Sequence, residues 1–304
     1  MNKWYQRFSK IFNGYIKDNQ SDWKNRIIGK KEGILLADAK GIKFIHVGYH
    51  RTGATFLQQE VFPKYKISGK IFSDDVLCGR LFNSGIDAVD YVYKSHPNAK
   101  ILIVIRSQPS IINSAYKTYI KRGGIWDFPR YTKEILHRKK YDFFLMVEKY
   151  IRFYGKKNCK VMVFEDLIRS PDEYIKNIVR FIGGQKVVKH DMAPVKPAPS
   201  NLYNELLRYI NILARIINFL GFDTFYGKIF GNNKSLLSWR FRKFFTRWGI
   251  TLDEKIFKRL GITGSYQYGF KRMLPVIETT YAENNTKLSN LIRKDLALYK
   301  YPIL

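Results

Sequence analysis

Short strand-like runs alternate with amphipathic segments of helical period along the first part of the chain. The clearest runs cover residues 44–47, 101–105 and 160–164, and a weaker one covers 66–72. The segment 142–156 instead repeats its apolar residues at the spacing of a helix face. Strands that alternate with helices imply right-handed crossovers and parallel pairing. We therefore predict an α/β fold of three layers, in which helices flank a central, mostly parallel sheet.

The loop after the first run has the spacing of a phosphate-binding turn. Its residues Gly48-x-x-x-x-Gly53-Ala54-Thr55 fit the P-loop pattern G-x-x-x-x-G-K-[ST], except that Ala54 stands in place of the lysine. Backbone N–H groups that begin the next helix can still bind one phosphate, and Arg51 adds positive charge to the loop. The alternative is an ordinary glycine-containing turn. Because the lysine is missing, a kinase that uses ATP and magnesium is not expected.

A second anion site is predicted where the run 101–105 ends. Arg106 follows that run directly, at the edge of the sheet where ligands of open α/β folds bind. Pro109 favours a helix start, and Ser114 lies on the helix that follows. A guanidinium at the strand end and a hydroxyl on the next helix can hold a phosphate from two sides. The alternative is a solvated arginine and an unrelated serine.

Two acidic residues follow the weaker run at 66–72. Asp74 and Asp75 stand where this second strand is expected to end. Beside a bound hydroxyl group a carboxylate can act as general base, and the charge of Arg51 would attract it. The alternative is a solvated turn. We predict that Asp75 or Asp74 is the base.

The net charge of +29 over 304 residues predicts an acidic partner. Nucleic acid, an anionic membrane surface, a polyanionic glycan and a multiply phosphorylated small molecule all meet that requirement. Cys78 and Cys159 are the two cysteines, so the sequence has neither a disulfide framework nor metal-ligand spacing. No run has the character of a signal peptide or a membrane span. We expect a cytoplasmic protein without a metal; the alternative is a peripheral position on the inner face of the cell membrane.

The two ends of the chain differ from this core. Residues 1–41 form a basic amphipathic arm, which suits either a membrane surface or packing on the domain. We assign the α/β core to residues 42–189 and a largely helical C-terminal insertion to residues 190–282. Within the insertion, the segment 239–248 interleaves basic and aromatic residues. Residues 283–304 are expected to return to the core as a helix.

Taken together, the motifs resemble the sulfotransferases that use 3′-phosphoadenosine-5′-phosphosulfate (PAPS), and within them the bacterial and carbohydrate-directed branch. The motifs are Gly48-Tyr49-His50-Arg51-Thr52-Gly53-Ala54-Thr55-Phe56-Leu57, then Ile105-Arg106 with Ser114, and Val163-Phe164-Glu165-Asp166-Leu167 with Ser170-Pro171. A C-terminal segment over 284–302 adds to them. The resemblance otherwise covers about residues 42–183, and it implies a P-loop-like fold.

The resemblance implies how the donor would be bound. The loop would hold the 5′-phosphosulfate, while Arg106 and Ser114 would hold the 3′-phosphate, so residues 42–189 would be a PAPS-binding core. No metal ion is implied. The loop residues with this role would be His50, Arg51, Thr52, Gly53, Ala54, Thr55 and Phe56.

The resemblance also implies a mechanism. Arg51 matches the position of a lysine that stabilises the bridging oxygen as the sulfuryl group leaves, although a guanidinium does not give up a proton. Asp75 stands where the bacterial branch carries a glutamate, and it would take the proton of the acceptor hydroxyl. Ala54 replaces a hydroxyl residue, which removes one phosphate contact. The insertion 190–282 would cover the acceptor, for which a glycan or a lipid-linked glycan is expected.

A non-enzymatic protein that binds nucleic acid or a membrane surface is the alternative function. Basic residues interleaved with aromatic ones suit single-stranded nucleic acid, in which bases stack on rings while cations follow the phosphates. Such a protein has no need of a P-loop-like turn together with Arg106 and Ser114. We therefore expect a PAPS-dependent sulfotransferase and do not expect nucleic acid as the partner.

Overall fold

The structure, a computed structural model, describes five ranges of the chain: 41–65, 70–78, 86–184, 200–219 and 266–304. The predicted N-terminal arm, apart from Gly41, and the basic aromatic segment 239–248 lie outside the described residues.

Strands and helices alternate over the first half of these ranges, as predicted. The strands are β1 (Ile42–Gly48), β2 (Lys70–Asp74), β3 (Lys100–Ile105) and β4 (Cys159–Val163). The α-helices are α1 (Ala54–Phe56), α2 (Ile86–Ser95), α3 (Gln108–Lys121), α4 (Phe128–His137), α5 (Phe143–Tyr154), α6 (Phe164–Arg169), α7 (Pro171–Phe181), α8 (Asn201–Phe219) and α9 (Tyr266–Ile292). Helix α1 continues without a break as a π-helix over Leu57–Val61 and a 3₁₀ helix over Phe62–Lys64.

The four strands form one parallel sheet in the order β2-β1-β3-β4. The predicted α/β class and parallel sheet are therefore confirmed. The register pairs Gly48 of β1 with Val104 of β3, and Ile105 of β3 with Val163 of β4. Because the strands run in one direction, their carboxyl ends share one edge. From β1 the chain continues to β2 on one side, and from β3 it continues to β4 on the opposite side. The switch point, where ligands of open α/β sheets bind, therefore lies between β1 and β3.

Both faces of the sheet are buried, which explains why its central strands consist almost entirely of apolar residues. Alternate residues of a strand point to opposite faces. On one face, strand residues pack with α6, α7 and the helical stretch after β1, in a cluster that includes Phe44, Leu57, Leu102, Val104, Leu167 and Ile178. The intervening residues, such as Ile45 and Ile103, are also fully buried, since α5 packs on β3 and α2 packs on α5. These helices and the sheet form the predicted three layers.

Two boundaries differ from the predicted ones. Strand β2 extends through Asp74, so Asp74 is a strand residue and Asp75 begins a 3₁₀ helix over Asp75–Cys78. The strand-like run predicted over 160–164 ends one residue earlier, because Phe164 begins the short helix α6, whose first turn carries Glu165 and Asp166. Acidic side chains stabilise a helix N-terminus, which accounts for a helix at this point.

The chain divides into two compact units. The unit that contains the sheet takes its described residues from 41–112, 134–184 and 275–304. The second unit takes its described residues from 113–133, 200–219 and 266–274.

The second unit is built around aromatic rings and a buried amide. Its rings contact one another at Tyr116, Tyr119, Trp126, Phe128 and Tyr131. The Nδ2 group of Asn211 on α8 donates to the carbonyls of Ile120 and Gly124, at 2.8 Å each. Helix α8 lies within the largely helical insertion predicted over 190–282, of which residues 190–199 and 220–265 lie outside the described ranges. In those ranges, no helix combines the length and apolar character that a membrane crossing requires.

In the sheet unit, a reciprocal amide pair joins the C-terminal segment to the start of α3. Gln108 Nε2 donates to Asn285 Oδ1 at 2.8 Å, and Asn285 Nδ2 donates to Gln108 Oε1 at 3.0 Å and to the carbonyl of Pro302 at 2.9 Å. Both side chains are buried, so each unsatisfied amide would be costly. This amide pair fixes the position of Gln108, two residues after Arg106.

Candidate active site

The carboxyl edge of the sheet brings together residues that are far apart in the sequence. Across the strand order, Asp75 follows β2, the loop 49–53 follows β1, Arg106 follows β3, and Glu165 comes just after β4. The switch point lies between the loop and Arg106. An anion at this point would meet the positive charges of both Arg51 and Arg106.

The loop after β1 is closed by its own hydrogen bonds. The hydroxyl of Thr52 donates to the carbonyl of Tyr49 at 2.5 Å, and the backbone N–H of Thr52 donates to the same oxygen at 3.3 Å. Arg51 has a φ of 69°, in the left-handed region that costs a non-glycine residue roughly 1–2 kcal/mol. Backbone strain of this kind persists where the surroundings hold it in place.

Both glycines of the P-loop-like pattern are required by close packing. At Gly53 the φ is 80°, and a Cβ would lie 2.9 Å from Cδ2 of Leu167 on α6. At Gly48 a Cβ would lie 2.7 Å from Cε1 of His46. The spacing of the two glycines therefore reflects how the loop packs against α6 on one side and against a strand side chain on the other.

His46 is a buried histidine that supports the loop. Its Nδ1 lies 2.7 Å from Oγ of Ser73 on β2, and Gln58 Nε2 donates to that same Oγ at 2.9 Å. Because Gln58 already supplies a proton to Oγ, the serine hydroxyl is free to donate to Nδ1. Burial lowers the pKa of His46 to about 4. His46 is therefore a neutral structural residue at pH 7.

Arg106 connects the second predicted anion site to the loop. Its Nη1 donates to the backbone carbonyl of Arg51 at 2.7 Å, and its Nε donates to Oγ of Ser110 at 2.9 Å. The guanidinium carbon lies 4.6 Å from the centroid of the Phe164 ring, a cation–π contact. These contacts fix the plane of the guanidinium, and among the described residues its other N–H groups make no hydrogen bond that would prevent them from binding an anion. Arg106 thus holds the backbone carbonyl of Arg51, the residue with the strained backbone conformation.

The charge of Arg106 is poorly solvated and partly compensated. Burial lowers the pKa of Arg106, the Glu165 carboxylate raises it, and the nearby Arg51 lowers it. Glu165 Oε1 accepts a hydrogen bond from the backbone N–H of Ser107 at 3.0 Å. Burial raises the pKa of Glu165, whereas the Ser107 N–H and the charge of Arg106 lower it. An anion between the two arginines would relieve their mutual repulsion.

The remaining predicted site residues have distinct positions. His50 is half-buried, while Arg51 and Thr55 are exposed. Ala54 begins α1, and Phe56 packs against the hydrophobic cluster of the sheet. Thr52 is fully buried, with its hydroxyl bonded inside the loop.

Asp75 follows strand β2, and Ser114 lies on helix α3, which follows strand β3. Asp75 comes directly after Asp74, which pairs with Val47 near the end of β1, so the backbone of Asp75 is close to the loop. Ser114 lies on α3, one turn beyond Ser110. In the described part of the chain, no three His, Cys, Asp or Glu side chains gather as they would around a metal ion.

Reasoning from sequence missed three residues that shape this site. Ser110 is the hydroxyl bonded to Arg106, and its signal was its place in the first turn of the helix that Pro109 begins. Phe164 and Glu165 meet Arg106 and Ser107 because β3 and β4 pair in register up to Ile105 and Val163. The sequence alone does not show that register.

No protein-family model matches the sequence, and the search of curated proteins found no match. The solved structures that are similar to this one include two sulfotransferases. A sulfotransferase from Alicyclobacillus acidocaldarius is 17% identical, with a TM-score of 0.41, over 60% of this chain and 96% of that chain. The mouse sulfotransferase SULT7A1 complexed with PAP is 13% identical, with a TM-score of 0.38, over 49% of this chain and 62% of that chain.

The packing of Gly53 can be separated from its conformation by comparison with Gly183. Both have positive φ, 80° and 79°, and Gly183 follows a helix end closed by the bond from the Gly184 N–H to the Val179 carbonyl, where a left-handed glycine is usual, so an alanine at either position meets a similar backbone cost of about 1–2 kcal/mol. A Cβ at Gly53 would also press on Leu167, whereas nothing lies within 4 Å of a Cβ at Gly183. We expect Gly53→Ala to lower the unfolding free energy by about 1–3 kcal/mol more than Gly183→Ala, measured with denaturant. Equal losses would contradict this packing.

The low pKa of His46 predicts how stability depends on pH. Between its ordinary value of 6.5 and about 4, the unfolded chain holds a proton on His46 that the folded protein does not. The unfolding free energy therefore falls as pH decreases through this window, by an amount on the order of 3 kcal/mol. We expect His46→Phe to flatten this part of the stability curve.

The matched control for that measurement is the exposed His137, since His137→Phe also removes a histidine. The wild type and His137→Phe should lose stability in parallel between pH 6.5 and 4. A His46→Phe curve as steep as theirs would show that His46 is not buried in its neutral form.

Proposed function

We propose that this protein is a sulfotransferase that moves a sulfuryl group from PAPS to a hydroxyl group of an acceptor. The observation that carries the proposal is the bond from Arg106 to the carbonyl of Arg51, which joins two cationic sites at the switch point of the sheet. One site follows β1 and the other follows β3. PAPS carries anionic groups at its 5′ and 3′ positions, so a single donor molecule has the charges that these two sites suit.

The donor would lie along the carboxyl edge. Its 5′-phosphosulfate would take the loop, where Arg51, Thr55 and the backbone N–H groups at the start of α1 would contact it. The loop residues Thr52 and Phe56 would act from behind, by closing the loop and by anchoring α1 to the core. Its 3′-phosphate would take the remaining donors of Arg106 and the hydroxyl of Ser114. A fixed guanidinium fork favours a phosphate at this position over a less charged group.

The proposed reaction is an in-line transfer. A bond forms between the acceptor oxygen and sulfur while the bond from sulfur to the bridging oxygen of the 5′-phosphate breaks, leaving adenosine 3′,5′-bisphosphate (PAP). The acceptor proton passes to the carboxylate of Asp75. Arg51 offsets the charge that develops on the leaving phosphate, and preorganised N–H groups hold the transferring group. The base and the second phosphate site would lie on opposite sides of the loop, because β2 and β3 lie on opposite sides of β1.

The acceptor is proposed from the resemblance and from charge. A glycan or glycolipid with hydroxyl groups would suit the basic and aromatic residues at 239–248, which lie outside the described ranges. We propose a cytoplasmic location, and an anionic membrane surface is the further partner that the net charge of +29 favours.

Nucleotide binding tests the donor site. We expect the wild type to bind PAP more tightly than AMP, which lacks the 3′-phosphate. Arg106→Ala should weaken PAP binding roughly 30-fold or more, from the loss of charge-assisted bonds worth about 2 kcal/mol, and should weaken AMP binding by a smaller factor, since AMP loses only the support that Arg106 gives the loop. Calorimetric titration measures both affinities.

Arg169→Ala is a matched control. Arg169 also donates to a backbone carbonyl, that of Leu298 at 2.7 Å, and its guanidinium carbon also lies over an aromatic ring, that of Tyr299 at 4.7 Å. Its removal should leave PAP binding unchanged. Absence of PAP binding by the wild type, together with tight, salt-dependent RNA binding that Arg106→Ala does not alter, would replace the sulfotransferase proposal with the nucleic-acid one.

A further inference from the structure

We propose that Glu165 is a positioning residue that links the occupation of the Arg106 site to a proton: a phosphate that binds Arg106 favours the protonated form of the Glu165 carboxyl group. The inference rests on the proposed function, since it concerns the site assigned to the 3′-phosphate.

The sheet register places Glu165 at this site. Strands β3 and β4 pair up to Ile105 and Val163, and the next residues continue side by side beyond the sheet. Arg106 stacks on Phe164, and the backbone N–H of Ser107 donates to Glu165 Oε1 at 3.0 Å. The bond from Ser107, the residue after Arg106, therefore holds Glu165 beside Arg106. Glu165 acts on Arg106 through its charge.

The second carboxylate oxygen of Glu165 is in an unusual position. Oε2 is buried, and among the described residues it has no hydrogen-bond partner. The hydroxyl groups of Tyr174 and Tyr301, which are also buried without a partner in the described residues, interact electrostatically with Glu165. Neither hydroxyl is bonded to Oε2, so among the described residues no donor holds this oxygen in its ionised form.

The charged neighbours explain why the proton state would follow the ligand. Arg106, at the end of β3, favours the ionised carboxylate, and burial opposes it. The next carboxylate, Asp166, is paired with Lys294. Among the described groups around Glu165, Arg106 is the only cation that compensates its charge. A phosphate bound at Arg106 would neutralise this cation and would add negative charge nearby. Both changes favour uptake of a proton by Glu165.

Glu165→Gln is an isosteric copy of the protonated state. The amide oxygen still accepts the Ser107 N–H, so the arrangement of Arg106 is kept while the charge is removed. The measured quantity is the ratio of the dissociation constant of the wild type to that of Glu165→Gln for PAP. The titration of the ligand itself cancels in this ratio.

We expect the ratio for PAP to be close to one at low pH, where residue 165 is neutral in both proteins, and to rise with increasing pH to roughly tenfold, since only the wild type gains a negative charge. The ratio for AMP should stay flat, because AMP has no phosphate at Arg106. Calorimetry in buffers of different ionisation enthalpy should also show that the wild type takes up more protons on binding PAP than Glu165→Gln does.

Asp166→Asn is the control for loss of a neighbouring carboxylate, and it should bind PAP with the pH dependence of the wild type. A flat ratio for PAP, or equal effects on PAP and AMP, would overturn the role of Glu165 while leaving the donor site intact. Absence of PAP binding by the wild type at every pH would overturn the proposed function and this inference together. Circular dichroism and unchanged AMP affinity verify that Glu165→Gln is folded.

Discussion

The site depends on the parallel register of β1, β3 and β4. Because these strands run in one direction and pair up to Gly48, Ile105 and Val163, the residues that follow them emerge side by side at one edge. Arg106 can then reach the carbonyl of Arg51, and Glu165 can reach the N–H of Ser107. A one-residue shift in the pairing of β3 would turn its alternate side chains to the other face and move Arg106 away from the loop.

The contact between Arg106 and the loop has an electrostatic consequence. Arg106 lies at a partly buried edge, and the nearby charge of Arg51 lowers the pKa of Arg106. The protein limits this cost with one carboxylate, Glu165, and one aromatic face, Phe164. A bound anion would stabilise the positive charges of Arg51 and Arg106 further. This placement of the two arginines therefore favours ligand binding over stability of the free protein. Arginine suits the position because its planar fork bonds the Arg51 carbonyl and the Ser110 hydroxyl at the same time, and in the proposed complex it would also bond the 3′-phosphate.

Local patterns predicted much of this architecture. The β-branched run of β3 and the glycine spacing around Arg51 predicted a buried strand, a tight turn and two cationic strand ends. The described ranges confirm the parallel sheet and its flanking helices. Long-range geometry was not predictable in the same way. The bond of Arg106 to Ser110 and the reciprocal amides of Gln108 and Asn285 depend on side-chain directions and on contacts across the fold.

Glu165 shows the limit of local reasoning most clearly. In the sequence it is an acidic residue at a helix entrance, where such residues stabilise the helix dipole. Only the pairing of β3 with β4 brings it to the N–H of Ser107 and gives its charge a second effect. Similarly, the polar His46 within β1 is explained only by Ser73 on the neighbouring strand and by the space that Gly48 leaves for its ring.

The most direct test of this account is an experimental structure of the protein with PAP bound. The account predicts the 5′-phosphate at the backbone N–H groups of residues 53–55 and the 3′-phosphate within hydrogen-bonding distance of the Arg106 guanidinium, with the bond from Arg106 to the Arg51 carbonyl preserved. A nucleotide bound away from the carboxyl edge, or one whose 3′-phosphate does not contact Arg106, would contradict it.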